Sequence, residues 1–175
     1  MEFKISDETI LQIEELIATG KEAELLEFLK DIHAVDIAEI MNELHSEEAI
    51  YIFDILDSEV TAEILLNLDD DLREKILKSL SPKEIAEELD ELDTDDAADI
   101  IAELSEKRKE EVLLELEDLE HAKDIVELLR YDEDTAGGLM AKEFVSVNEN
   151  WSILTCVKEM RKQAEHVSRV HSIYV

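Results

Sequence analysis

Leucine recurs along this chain at Leu44, Leu56, Leu68, Leu80, Leu92, Leu104, Leu116 and Leu128, always twelve residues apart, and Ile32 extends the series backward. A second set, Ala38, Ala62 and Ala86, recurs every twenty-four. Two twelve-residue units therefore make one full repeat, and a fixed period of this kind marks a stacked architecture. Twelve residues suit about two and a half helical turns plus a tight corner. The corners carry their own signals. Ser46, Ser58, Asp70, Thr94 and Asp118 each follow a repeat leucine by two residues, and each has a side-chain oxygen able to accept from the free N–H groups of a new helix. Ser81 precedes Pro82, which loses no hydrogen bond at a first helical position, and Ser105 precedes Glu106. Acids follow the caps in Ser46-Glu47-Glu48 and Thr94-Asp95-Asp96, where the helix dipole favours them. Helices this short are not stable alone in water and must bury their Leu/Ile/Ala faces against neighbouring units. The pattern predicts a mainly α fold, a superhelix of about ten short helices over residues 1–131.

The pattern changes after the only adjacent glycines, Gly137 and Gly138. A glycine pair can take backbone angles closed to other residues, which places a linker at residues 132–140. Beyond it, Phe144-Val145-Ser146-Val147 alternates like a strand. Ser152 can cap a helix running through Ile153, Cys156, Val157, Met160 and Arg161, with Trp151 as a packing anchor before it. Arg169–Val175 resembles a second strand. A strand–helix–strand piece that stops there closes a sheet poorly, so a fragment of a longer protein is expected.

Composition sharpens the picture. The 175 residues carry 48 acids and 17 Lys and Arg, a formal charge of −31. Residues 1–131 hold 41 acids and 12 bases, whereas residues 132–175 hold 7 and 5. Such a chain lacks the cations that a phosphate backbone or an anionic membrane surface recruits, which argues against nucleic acid as a partner. Hydrophobic residues make up 45 %, too many for an acidic disordered segment. Three glycines and one proline disfavour turn-rich sandwiches and barrels. The single Cys156 allows no internal disulfide, and no apolar run approaches the roughly 20 residues of a membrane span. No Walker-type loop, zinc spacing or placed triad is present, so no enzyme signature emerges. His33, His45 and His121 fall near helix ends without co-ligands.

The informative side chain is the carboxylate. In the helix that Thr94 opens, Ala97, Ile100, Ile101 and Leu104 form an apolar stripe, while Asp95 and Asp99, four apart, share the opposite face. Like charges at that spacing repel by a few tenths of a kcal/mol. Magnesium or calcium would reverse the penalty, because both prefer carboxylate and carbonyl oxygen. The same acids also suit a plain solvated face, and the glycine pair also suits a plain interdomain turn.

Asp95-Asp96-Ala97-Ala98-Asp99, then Thr135-Ala136-Gly137-Gly138-Leu139-Met140, then Phe144–Val147 resemble, in that order, the cytosolic part of the MgtE magnesium transporter family. His33-Ala34-Val35-Asp36-Ile37-Ala38 is similar to an earlier segment of that family, with Ala34 where proline is usual. The resemblance implies an acidic superhelical N domain at residues 1–131 and, at 141–175, the beginning of a first CBS domain of α/β type. It implies a magnesium-sensing, gating region on the cytoplasmic face of a multi-pass membrane protein that is a homodimer in full length. Its partners would be Mg2+ and the remainder of its own chain. The resemblance places metal sites at the junction of the N domain with the start of CBS. The candidate ligands carried over by motif are Asp95, Asp99 and a Gly137 or Gly138 carbonyl, with Asp96 behind them. A CBS pair binds adenine nucleotides in some relatives, but the incomplete motif supports no such assignment here. The short helices also resemble the armadillo-like part of the flagellar switch protein FliG, which would make the chain a protein–protein scaffold without ion sensing. The two strand-like segments near the end distinguish the readings, since an all-helical scaffold does not need them.

Overall fold

The structure, a computed structural model, describes residues 5–132, 135–164 and 172–175. Its helices are α1 Asp7–Ala18, α2 Glu22–Leu29, α3 Ala34–Glu43, α4 Ser46–Ile55, α5 Ser58–Asn67, α6 Asp70–Ser79, α7 Pro82–Leu89, α8 Thr94–Glu103, α9 Glu106–Glu115, α10 Leu119–Leu128 and α11 Ile153–Gln163. Two short strands, β1 Val145–Ser146 and β2 Ile173–Tyr174, flank α11. From α3 to α9 each helix begins twelve residues after the last, as the leucine series predicts.

The corners after α3, α4, α5 and α6 are each made by two extended residues. Leu44 (φ −84, ψ 164) ends α3 and His45 (φ −66, ψ 144) precedes α4. Leu56, Leu68, Leu80 and Leu104 end their helices in the same extended conformation. Extended backbone is open to any residue, which explains how the corners turn without glycine. Gly20 is the only residue with positive φ among those described, at 65°. It closes α1 in a Schellman turn, with Lys21 N donating to Leu16 O and Gly20 N to Ile17 O, both at 3.0 Å. The caps fall one residue earlier than expected at four corners: His45, Asp57, Asp69 and Asp93 precede helices that begin at Ser46, Ser58, Asp70 and Thr94. Ser81 and Asp118 cap as expected. Asp118 Oδ1 accepts from Glu120 N at 2.8 Å, and in a capping box Ser81 N donates to Glu84 Oε2 at 2.7 Å while Glu84 N donates to Ser81 Oγ at 3.3 Å.

The described residues divide into two compact units, one of residues 1–91 and 110–116, the other of residues 92–109 and 117–175. In the first, α3 packs on α5 and α5 on α7, so the units in contact are two apart. That explains the twenty-four-residue alanine set. Ala38, Ala62 and Ala86 lie buried on these three helices, where a small side chain lets the backbones approach. The core is carried by another twelve-step series, Ile40, Ile52, Ile64 and Ile76, all fully buried. The repeat leucines play a different part from the one their regularity suggests. Most sit at corners, and from Ile32 to Leu116 their burial alternates: Leu44, Leu68, Leu92 and Leu116 are buried, while Ile32, Leu56, Leu80 and Leu104 are half-buried; Leu128, the last residue of α10, is buried as well.

In the second unit α8 packs on α10, burying Ala97, Ile101, Ile125 and Leu128. β1 and β2 pair in parallel, Val145 opposite Ile173 and Ser146 opposite Tyr174, with α11 between them in sequence. The Gln163 side chain closes this piece by donating to Ser146 O and accepting from Ser146 N, each at 2.9 Å. The strands are shorter than the sequence suggests, and Arg169, Val170 and His171 of the expected second strand lie outside the described residues. α11 begins after its expected cap, Ser152, whose hydroxyl accepts from Thr155 N. Its apolar face is not buried: Ile153 is 82 % exposed, Cys156 is half-buried and Trp151 is 43 % exposed, so neither acts as the expected core group or packing anchor here.

The exposed ion pairs, such as Lys78 with Glu74 at 2.6 Å, add only tenths of a kcal/mol each. Stability therefore rests on the isoleucine series. Ile76→Ala should destabilise the chain by about 2–5 kcal/mol in urea unfolding. Leu104→Ala, at a half-buried corner, should cost clearly less; equal costs would show that the leucines carry the core after all.

Candidate metal site

The candidate site is built on the first turns of α8. Asp93 precedes the helix in extended conformation (φ −66, ψ 153), and Thr94, its first residue, is buried. Thr94 is held from far along the chain. Its N–H donates to Glu143 Oε1 at 2.9 Å, and its hydroxyl donates to Glu143 Oε2 at 3.2 Å. A carboxylate at a helix N-terminus meets both free N–H groups and the positive end of the helix dipole. This contact secures the segment entering β1 to the start of α8. Glu143 was not a candidate from sequence; nothing local announces a partner 49 residues away.

The three candidate aspartates of α8 differ in setting. Asp99 is exposed, as its place opposite the apolar stripe requires, whereas Asp95 and Asp96 are half-buried. Asp96 is the perturbed one. Burial, and then the nearby charges of Asp95, Asp93, Asp99 and Glu143, push its carboxyl up to about 6 from 3.8. Anionic groups thus crowd the start of α8 at neutral pH, where a hard cation would offset their repulsion.

The glycine pair lies in the turn that follows α10. Thr135 organises it: its hydroxyl donates to Asp132 O at 2.7 Å and accepts from Gly138 N at 3.3 Å. Neither Gly137 nor Gly138 uses a positive φ, so unusual backbone angles are not the reason for the pair. At Gly137 the reason is close approach. A Cβ there would lie 2.4 Å from Cδ1 of Tyr131, whose ring rests against the turn. Asp99 and Gly138 line one cavity of about 530 Å³, together with Asp132, Thr135, Tyr131 and Lys109. Asp95, Asp96 and Gly137 are not part of its lining. The structure thus brings Asp99 together with the glycine turn, while Asp96 lies close enough to Glu143 to feel its charge. Among the described residues, no three His, Cys, Asp or Glu side chains converge into a ready-made metal cage. The candidate donors are carboxylate, hydroxyl and carbonyl oxygens, with Lys109 beside them in the cavity lining; hard cations take oxygen ligands of this kind.

No described helix is long and apolar enough to cross a membrane. Among solved structures, "the soluble part of a magnesium transporter" matches with a TM-score of 0.76 at 24 % identity, covering 97 % of this chain and 66 % of that one, a likeness of fold. "The cytosolic domain of the Mg2+ channel MgtE in complex with ATP" matches with a TM-score of 0.81 at 29 % identity, covering 95 % of this chain and 68 % of that one. The mainly helical fold ending in a short strand pair is that of these cytosolic regions. The magnesium transporter MgtE of Enterococcus faecalis is 36 % identical over 56 residues, and that of Thermus thermophilus is 36 % identical over 52. Those stretches are 32 % and 30 % of this chain but only 12 % of either relative. The family model of the MgtE intracellular N domain matches residues 32–134, more than half of the sequence, and the chain belongs to that family.

Proposed function

We propose that this chain is the cytosolic regulatory region of a magnesium transporter or channel, and that it senses Mg2+ through acidic residues where its N domain meets the start of a CBS domain. In this reading the N domain spans residues 1–131, the linker 132–140 and the incomplete first CBS domain 141–175. The region lies on the cytoplasmic face of the membrane that the rest of the transporter spans. The observation that carries the reading is the shared cavity: Asp99 of α8 and Gly138 of the turn line the same space. Without a divalent ion, Asp95, Asp96, Asp99 and Glu143 repel one another. Mg2+ offsets that repulsion and, through its waters, takes carboxylate oxygens of α8 and carbonyl oxygen of the turn as ligands. The ion ties the start of the CBS segment to α8, and the remainder of the chain carries the signal to the pore. The β1–α11–β2 piece favours this reading over a FliG-like scaffold, which has no use for a parallel strand pair. The ATP in the related channel's structure belongs to that protein; the incomplete CBS segment here supports no nucleotide assignment.

Two outcomes follow. At ionic strength held constant with sodium chloride, millimolar Mg2+ should raise the melting temperature of the wild type, since an ion that binds only the folded state stabilises it. The gain should be reduced in an Asp95→Asn, Asp99→Asn double variant; equal gains in both would point to screening and remove these residues from the site. The second concerns Asp96. Its carboxyl holds its proton more tightly folded, at about 6, than at the ordinary 3.8. Stability contributed by that proton is present at low pH and is lost as pH rises from about 4 to about 6. Without divalent ions, Asp96→Asn should therefore flatten the fall in stability across that window and leave the protein more stable at pH 8. An unchanged slope in urea unfolding would show that Asp96 is not crowded.

A further inference from the structure

The fully buried isoleucine series has one break. Ile40, Ile52, Ile64 and Ile76 are followed, twelve residues on, by Glu88, and the apolar series then resumes at Ile100 and Val112. Glu88 occupies a core position of α7 and is only 8 % exposed. Its partner is also polar. Thr61 lies at a repeat position that holds Ile37, Ala49, Arg73, Ile85, Ala97 and Lys109 elsewhere, and at 1 % exposure on α5 it is the buried polar member of that set. The two buried polar residues meet across the α5–α7 contact at 2.7 Å between Thr61 Oγ1 and Glu88 Oε2.

We propose that Glu88 and Thr61 form a proton-controlled clasp between α5 and α7, closed as a neutral hydrogen-bonded pair and loosened when the buried carboxyl loses its proton. The proton count supports it. A threonine hydroxyl has one proton and can also accept. Thr61 Oγ1 lies within reach of two carbonyls of its own helix, Asp57 O at 3.2 Å and Ser58 O at 3.3 Å. With Glu88 protonated, the carboxyl donates to Thr61 and the hydroxyl proton serves the helix, so every group is satisfied. With Glu88 ionised, that one proton must turn to the carboxylate, and a charge remains in the interface.

The charges around it do not compensate that charge. Glu87 and Glu91, beside Glu88 in sequence, are both acids and raise its proton affinity. Lys83 on α7 pairs with Glu87 at 2.5 Å, and Glu84 is engaged with Ser81 at the cap. On α5, Glu59 and Glu63 are exposed acids. The part of α9 in the same unit carries Glu110, Glu111 and Glu115. Burial is the largest cause; the hydrogen bond with Thr61 opposes it in part, and the net effect lifts the carboxyl to about 7 from 4.5. The clasp therefore changes state near neutral pH. It is separate from the α8 carboxylates, and its failure would leave the metal reading untouched.

The sign follows from linkage. The folded state holds the proton up to about 7 and the unfolded chain only to about 4.5, so stability falls as pH rises between those values and levels off above them. On the whole 175-residue chain without divalent ions, amide exchange in α5 and α7, corrected for its intrinsic pH dependence, should show opening about tenfold more frequent at pH 8 than at pH 6. Glu88→Gln, which imitates the protonated carboxyl, should remove most of that increase. Carbon-13 titration of the Glu88 carboxyl should give a midpoint near 7. A Glu88 midpoint in the ordinary carboxylate range, or the same exchange increase in Glu88→Gln, would overturn the clasp.

Discussion

A ten-residue helix cannot stand alone, and this chain is built almost entirely from them. The stacked part depends on one constraint: every twelve residues a large apolar side chain must be removed from water by a neighbouring helix. Ile40, Ile52, Ile64 and Ile76 meet it by complete burial. The twelve-residue period then dictates the corners, since a ten-residue helix leaves only two residues, as between α3 and α4, α4 and α5, α5 and α6, and α6 and α7. It also dictates where small side chains must go, because Ala38, Ala62 and Ala86 lie where alternate helices approach.

With the inside committed largely to isoleucine, alanine and leucine, the acids other than Glu88 lie outside or at the edges of the stack. A charge of −31 is tolerable there because solvent screens it. Repulsion matters where carboxylates cannot spread. The start of α8 is such a place: Glu143 grips Thr94, and Asp96 retains its proton to about 6. In the proposed reading, a divalent cation is what relieves that crowding.

Much of the fold could be read from the chain. The leucine step located the helices to within a residue, because a corner leucine must recur wherever the helix length is constant. The same regularity described the core only in part: Leu44, Leu68, Leu92, Leu116 and Leu128 are buried, but Leu56, Leu80 and Leu104 are half-buried corner residues, whereas Ile40, Ile52, Ile64 and Ile76 are buried throughout. The caps were misplaced by one at His45, Asp57, Asp69 and Asp93 because a Ser, Thr or Asp just inside a helix looks like one just before it. At the site, the outward face of Asp99 followed from helical spacing alone. The crowding of Asp96 and the grip of Glu143 did not, because both arise from residues distant in sequence. Gly137 drew notice for its backbone freedom, yet its reason is the Tyr131 ring, which no local pattern announces. Glu88 was legible as the one acid in the isoleucine step, although only the contact with Thr61 gives it meaning.

The central claim is that a divalent cation acts at the α8 carboxylates and the glycine turn rather than on the charge of the chain as a whole. Hydrogen exchange read peptide by peptide tests it most directly, with magnesium added and ionic strength held constant with sodium chloride. The account predicts slowed exchange concentrated in residues 94–104 and 135–147. Uniform slowing along the acidic helices, or none in those two segments, would contradict it.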